Sequence, residues 1–273
     1  MPMRIWINIL LCLLTANSAK AQEPGDGILC SGEQRSVMLS VGCINLLDTY
    51  LSPEKYQGTE VGFMANRTMV LKKDWRWDRS FSHHGALAMA KNKVGNANFL
   101  AGSYNFQFAM RRRWTFLDEK LLVEGGGGIE ANLGVLYSTR NGNNPVQLKT
   151  SLNVATSGVA TYFFKIKDAV WNVRYEVAFP LVGAMFSPHY GQSYYEIFSR
   201  GNYDHNIVFT SPFNTPSVRQ MLTIDIPLAK SCLRIGYLGN FQQAKANNLK
   251  YHSYSHAFVV GIAPKLFTST SNP

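Results

Sequence analysis

The chain has 273 residues, with 27 Lys and Arg against 17 Asp and Glu, a formal charge of +10 at pH 7 and a sequence pI near 9.5. Excess basic charge points to anionic partners. Because no basic run exceeds Arg111-Arg112-Arg113, nucleic acid is disfavoured and lipid phosphate is the better candidate. The four cysteines show no Cys-x-x-Cys spacing, and the odd number left after residue 21 argues against a disulfide framework or a thiolate zinc site.

In chain order, Met1 to Arg4 carries one positive charge, Ile5 to Leu14 is almost wholly apolar, and Ala19-Lys20-Ala21 offers the small-x-small pattern of a signal-peptidase site. Residues 1–21 therefore read as a cleaved signal peptide, with Gln22 as the new N-terminus. The apolar stretch is shorter than the roughly 20 residues a helix needs to span a bilayer. Cys30, Cys43 and Cys232 remain after processing. Cys30 and Cys43 are candidates for a bridge in an oxidising compartment, but separate thiols are the expectation. Residues 22–35 read as a short periplasmic segment ahead of a single barrel domain, 36–267.

No later segment approaches roughly 18 consecutive apolar residues, so helical spans are excluded, and a closed barrel is the other way to satisfy the backbone in lipid. Each barrel strand must alternate lipid-facing apolar with lumen-facing polar or small residues over roughly 10 positions. That alternation predicts strands near 36–45, 59–71, 75–90, 97–115, 121–139, 146–166, 169–186, 217–228, 231–243 and 254–267. A polar tail, Thr268 to Pro273, follows. The pattern is clearest from Leu121 to Tyr137, where Val123, Ile129, Leu133 and Val135 share one face and Glu124, Glu130 and Asn132 the other.

Connections at 72–74, 117–120, 166–168 and 229–230 are short, whereas 46–58, 91–96, 140–145, 187–216 and 244–253 read as longer outer loops. Short periplasmic turns and long outer loops are the expected asymmetry. Trp75, Trp77, Trp114 and Trp171 all fall near the short turns, as an aromatic girdle at the headgroup level requires. The fold class is therefore an all-β, transmembrane, antiparallel up-and-down barrel of about ten strands, exported to a bacterial outer membrane. A soluble β-sandwich also alternates, but it does not explain why the tryptophans collect at one end.

Residues 46–58, Leu-Leu-Asp-Thr-Tyr-Leu-Ser-Pro-Glu-Lys-Tyr-Gln-Gly, carry a Leu-Asp-Thr-Tyr-Leu-Ser-Pro-x-x-Tyr-x-Gly signature. It resembles an uncharacterised family of Bacteroidetes outer-membrane β-barrel proteins, a domain of unknown function. The runs Arg219 to Asp225 and Arg234 to Tyr237 are similar to that family's C-terminal half. The resemblance implies location and fold; it brings no activity or catalytic residues.

Ten strands enclose a lumen narrower than an open porin channel. Sorting by alternation puts Glu60, Arg76, Asp78, Arg111, Glu124, Glu130, Arg174, Glu176, Arg219, Asp225 and Arg234 inside. Their near balance reads as a salt-bridged filling, with a narrow or gated channel as the alternative. The outer loops would supply a structural or recognition function toward glycan, lipid, lipopolysaccharide phosphates or a partner. Loop 187–216, rich in Tyr, His and Asn, is the longest of them. Lys91, Lys93, Lys245 and Lys250 are candidates for lipid phosphates. The protein is expected to be a monomer, without cofactor, metal or nucleic acid.

A second reading, an outer-membrane hydrolase, draws on Asp48, Tyr50, Ser52, His189, His205, His252 and His256 at the outer rim, the residue types of general-base or nucleophilic hydrolysis. No Gly-x-Ser-x-Gly elbow supports it. His83 and His84, as neighbours on a strand, face opposite sides and do not chelate one metal. His84 is expected inside, beside Ser80 and Ser82. Alternation continues through Gly125 to Gly128, which favours relief of crowding over a phosphate loop.

Overall fold

The computed structural model describes residues 33–71, 74–142, 144–167, 169–228 and 231–264. The expected signal peptide, Cys30, the turn residues 72–73, 168 and 229–230, the strand end at 265–267 and the tail 268–273 lie outside them. The described residues form β1 (Glu33–Asp48), β2 (Ser52–Val70), β3 (Trp77–Asn92), β4 (Asn98–Phe116), β5 (Leu121–Ser138), β6 (Val146–Ile166), β7 (Ala169–Phe186), α1 (Tyr194–Phe198), β8 (Ile207–Thr210), β9 (Val218–Pro227), β10 (Ser231–Ala246) and β11 (Leu249–Pro264).

Strands β1 to β7 pair antiparallel in sequence order, β7 pairs with β9, β9 to β11 continue the series, and β11 returns to β1, so the sheet closes on itself. Closure removes the exposed edges that an open sheet carries. The short strand β8 pairs with Gly183–Phe186 of β7, and β9 pairs with Asn172–Ala178 further down the same strand. Together β8 and β9 are one descending strand, interrupted by an excursion at 211–217. Pro212 and Pro216 lie in that excursion, where the missing N–H removes a ladder bond. The wall is thus a ten-stranded antiparallel up-and-down barrel.

Strand positions follow the alternation, but several ends do not. The loop expected at 46–58 is a tight turn at 49–51, in which the Tyr50 N–H donates to Asp48 Oδ1 at 2.9 Å. The loop expected at 244–253 is a two-residue turn. Asn247 and Asn248 have φ of 49° and 63° there, the left-handed pair of a hairpin turn that asparagine tolerates. The first strand likewise begins at Glu33, ahead of the expected Ser36. The physical reason is length. With 19 residues in β2 and 21 in β6, strands outrun the roughly 10 positions over which a barrel strand alternates. Beyond that band the outward face turns polar and the apolar signal stops, although the ladder does not.

Burial is inverted relative to a water-soluble protein. Outward-facing Leu39 is 63% exposed and Ile129 is 51% exposed, whereas inward-facing Glu124 and Glu130 are 4% and 8% exposed. At the outer end, Leu46, Leu51, Tyr56, Phe99 and Leu136 pack across the lumen. The Tyr56 and Phe99 rings stack there at 3.7 Å. Met38, Met64, Met221, Leu238 and Val259 line one side further down. Where β4 meets β5 the backbones approach so closely that a Cβ on Gly126 would lie 2.0 Å from the Met110 carbonyl oxygen. The glycine run is part of the barrel wall.

Candidate functional site

The lumen and its outer rim hold the chemistry-bearing side chains. Near the short-turn end, Asp78 follows the first described turn, Arg111 and Arg113 approach the second, and Arg174 and Arg234 open their strands, so strand ends deliver the charges to one level. Arg111 donates to Asp78 Oδ1 through Nε at 3.0 Å and Nη2 at 2.9 Å. Glu124 sits among Arg111, Arg113 and Arg174 at 3.8, 3.6 and 3.7 Å. Arg174 also reaches Glu176 at 2.5 Å. Arg234 grips both oxygens of Asp225, at 2.6 and 2.7 Å, and Asn172 adds a bond to Asp225 at 3.1 Å. Charges desolvated to this degree are tolerable only when paired and hydrogen-bonded.

Above this network, Arg219 donates to Asn105 and, at 2.6 Å, to Gln107. Asn105 and Asn132 in turn donate to Glu130 at 3.1 and 2.9 Å. Glu60 accepts a bond from Ser255, and His84 is buried. A cavity of about 120 Å³ lies here, bordered by Glu60, His84, Glu130, Asn153 and Arg219. Two others, of about 40 and 30 Å³, lie by Gln107 and by Arg234. Spaces of this size hold a few waters.

The rim closes over the cavity. Asp48, fully buried, pairs with Lys149 at 2.6 Å, and the Lys149 ammonium lies 4.2 Å from the Tyr251 ring centre. The Tyr50 hydroxyl donates to the Gln192 carbonyl at 2.9 Å, and the Tyr194 hydroxyl to Gln147 at 2.9 Å. Burial, then the Asp48 carboxylate, push the Tyr50 hydroxyl up to about 12, so it stays protonated as a donor at neutral pH. Helix α1 is fixed by a reciprocal cap between Ser193 and Glu196.

Ten of the charged residues sorted to the interior face it, and Arg76 does not. It is exposed in the turn before β3, where Asp74 accepts from its backbone N–H and its Nε, both at 3.0 Å. The Asx-type turn breaks the alternation, which begins only at Trp77. Hydrogen bonds from Arg76 hold the Asp74 carboxyl below its ordinary range. The Arg111-Arg112-Arg113 run also resolves by parity: Arg111 and Arg113 are buried, while Arg112 lies outside, 5.7 Å from the Trp114 ring centre. Strand parity alone was enough to find Arg113 in the sequence. The Asp48–Lys149 pair had no such signal, because it joins β1 to β6 across the lumen. Trp75, Trp77, Trp114 and Trp171 all lie near the short-turn end, none of them buried.

The rim residues proposed for hydrolysis are not brought together. Asp48 faces inward onto Lys149, and Ser52 accepts from the Glu54 N–H at 3.2 Å. His189 lies 3.1 Å from the Asp204 carbonyl oxygen, and His205 pairs with the Asp204 carboxylate. His252 and His256 point outward from β11, at 2.8 Å from Asn45 Oδ1 and 2.6 Å from the Tyr237 hydroxyl. Among the described residues, no group of three His, Cys, Asp or Glu forms a metal site.

A family model described as "Protein of unknown function (DUF3316)" matches residues 7–272. The chain belongs to that family. No curated protein matches this DUF3316 chain. Among solved structures, the chain is similar to the translocator domain of autotransporter NalP from Neisseria meningitidis, at 9% identity and a TM-score of 0.38, covering 96% of this chain and 97% of that one. It is also similar to the transport unit of the autotransporter AIDA-I from Escherichia coli, at 6% identity and a TM-score of 0.39, covering 92% and 95%.

Proposed function

We propose that this DUF3316 barrel resides in a bacterial outer membrane, reached through a cleaved signal peptide, and works through its surfaces, as a structural or recognition protein with a filled lumen. The observation that carries the reading is the inverted side-chain distribution: an apolar outer wall around an interior of mutually paired ions. Water would not favour Val37, Leu39 and Val41 in one outward row, more than half exposed. Hydrocarbon does. The ion pairs across the lumen, the small cavities and the rim closure disfavour a conducting path. The aromatic cap favours recognition: Tyr190, Tyr195 and Tyr203 are 74, 62 and 62% exposed in the long outer loop. The signature at 46–58 supports the same location.

The test uses purified protein in planar bilayers and in vesicles of brominated lipid. Quenching of tryptophan fluorescence by the bromines, without discrete conductance steps at any voltage, is the expected result. Stable conductance steps would overturn the filled lumen, and absence of quenching would overturn the membrane location.

A further inference from the structure

The outward face of β10, β11, β1 and β2 changes character along its length. Tyr237, Phe258, Val41 and Val61 are exposed in the apolar band. Four to six residues toward the outer rim the same face carries Gln243, His252, Asn45 and Gln57, and two residues further Lys245, Lys250 and Lys55. Lys245 is the direct cross-strand partner of Lys250, and Lys55 is partnered with Leu47, itself opposite His252. All three lysines are exposed. Carboxylates are absent from β10 and β11, and those of the upper halves of β1 and β2 point the other way: Asp48 and Glu60 are buried in the lumen, and Glu54 takes a bond from Asn92. Like charges placed directly opposite on paired strands are unfavourable unless an anion joins them.

Directly below Lys245, the 211–217 excursion leaves the wall and returns beside β10, tied to it by the Lys245 N–H donating to the Asn214 carbonyl at 2.8 Å. Between excursion and wall lies an outward-opening groove of about 360 Å³, bordered by Pro216, Val218, Phe241, Gln243, Tyr254 and His256. Pro216, Val218, Phe241 and Tyr254 make most of it apolar. The groove therefore starts in the hydrocarbon band and ends under a cluster of cations, where long lysine side chains reach headgroup level.

We infer that this face binds a lipid bearing two phosphate monoesters, with an acyl chain against the groove and the phosphates among Lys55, Lys245 and Lys250. The inference rests on the outer-membrane reading above. Charge selects the headgroup. A phosphodiester lipid carries one negative charge, whereas each phosphate monoester carries about 1.5 to 2 at neutral pH, so two of them match three unneutralised lysines spread over four strands, a span of about 15 Å. A zwitterionic headgroup has no net charge to offer them.

The test is binding of bisphosphorylated lipid A, enzymatically dephosphorylated lipid A and phosphatidylglycerol to the full-length protein in phosphatidylcholine nanodiscs, read by native mass spectrometry. Wild type should hold bisphosphorylated lipid A at least tenfold more tightly than either comparison lipid, and the triple variant K55Q/K245Q/K250Q should lose that preference while tryptophan quenching by brominated lipid stays unchanged. Equal binding of phosphorylated and dephosphorylated lipid by wild type overturns the inference, as does a triple variant that keeps the preference. If the variant does not refold, the wild-type comparison decides. Loss of quenching in wild type itself would instead remove the outer-membrane reading.

Discussion

Asp225→Asn isolates the energetics of the lumen at constant volume. In the wild type Asp225 is 1% exposed, and both its oxygens are occupied: Arg234 donates to Oδ1 at 2.6 Å and to Oδ2 at 2.7 Å, and Asn172 donates to Oδ2 at 3.1 Å. The substitution turns one acceptor oxygen into a donor that faces the guanidinium and leaves Arg234, only 6% exposed, without its counter-charge. Breaking a buried pair in this way costs about 3 to 5 kcal/mol. The lower end applies here, because Glu176 lies within the electrostatic reach of Arg234 and offsets part of the loss. A cost near 3 kcal/mol lowers the folding equilibrium more than a hundredfold, at 1.4 kcal/mol per factor of ten. With a denaturant slope of about 1 to 3 kcal/mol/M, the urea midpoint in lipid vesicles should fall by 1 M or more, followed by tryptophan fluorescence and by the loss of the compact band on unheated gels. The double variant D225N/R234M should regain most of the difference, since apolar replacement of a whole buried pair is often neutral. If Asp225→Asn costs less than about 1 kcal/mol, or the double variant is no better than the single one, the network is not a desolvated ion-pair core and the argument fails.

Leu39→Arg, on the outward face midway along β1, should cost roughly 2 to 4 kcal/mol of folding free energy in vesicles; no measurable cost would mean that water, not lipid, surrounds that face. Gly126→Val should prevent formation of the compact gel species, because its Cβ would lie 2.0 Å from the Met110 carbonyl oxygen, whereas Gly142→Val, in a turn with nothing within 4 Å, should fold normally. Hydrogen bonds from the Ser193 backbone and side chain hold the Glu196 carboxyl below its ordinary value, so its contribution to the α1 cap is present above that ordinary value and is lost as pH falls through the lowered one. Limited proteolysis within 187–216 should accordingly speed up as pH drops below the ordinary carboxylate range in the wild type, and a pH-independent rate in Glu196→Gln is the matching control. Lys149→Met leaves Asp48 buried beneath the rim without its ammonium, and a fall of about 3 kcal/mol in stability, rescued by D48N/K149M, is expected in the same urea assay.

How far the fold could be read from sequence depended on what each residue's partner was. Between Leu121 and Tyr137 the outer wall and the lumen impose opposite demands at every step, so parity alone places Glu124 and Glu130 inside and Ile129 outside. Gln220 looks like an error in its strand until its outward neighbour is known: its side chain accepts from the Tyr175 hydroxyl at 3.0 Å. Toward the outer rim the demand disappears, and strands such as Ser52 to Gln57 read as loop, although Asn247-Asn248 was a usable signal for the last outer turn. Arg76 was misplaced because the Asp74 turn holds it ahead of the strand, by local hydrogen bonds that alternation does not encode. Contacts across the lumen, Asp48 with Lys149 and Arg219 with Asn105, depend on how the closed sheet is staggered, which no single strand records.

The division of charge links the interior to the surface. Arg111, Arg113, Arg174, Arg219, Arg234 and Lys149 stand inside against Asp48, Glu60, Asp78, Glu124, Glu130, Glu176 and Asp225. Inside the barrel, basic and acidic groups therefore nearly cancel, as they must where each unpaired ion would face low dielectric. The chain as a whole nevertheless carries a formal charge of +10, of which Arg4 and Lys20 of the expected signal peptide supply only two. The excess must lie outside the lumen, toward both ends of the barrel, and it includes Lys245 and Lys250 on β10 and β11, strands that carry no carboxylate. A protein selected only for solubility would intersperse both signs on such a surface. On the outer-rim face of β10, β11 and β2, Lys55, Lys245 and Lys250 stand without a carboxylate on the same face, an arrangement that contact with an anionic leaflet would maintain, and it gives part of the basic charge of the sequence a definite place on the barrel.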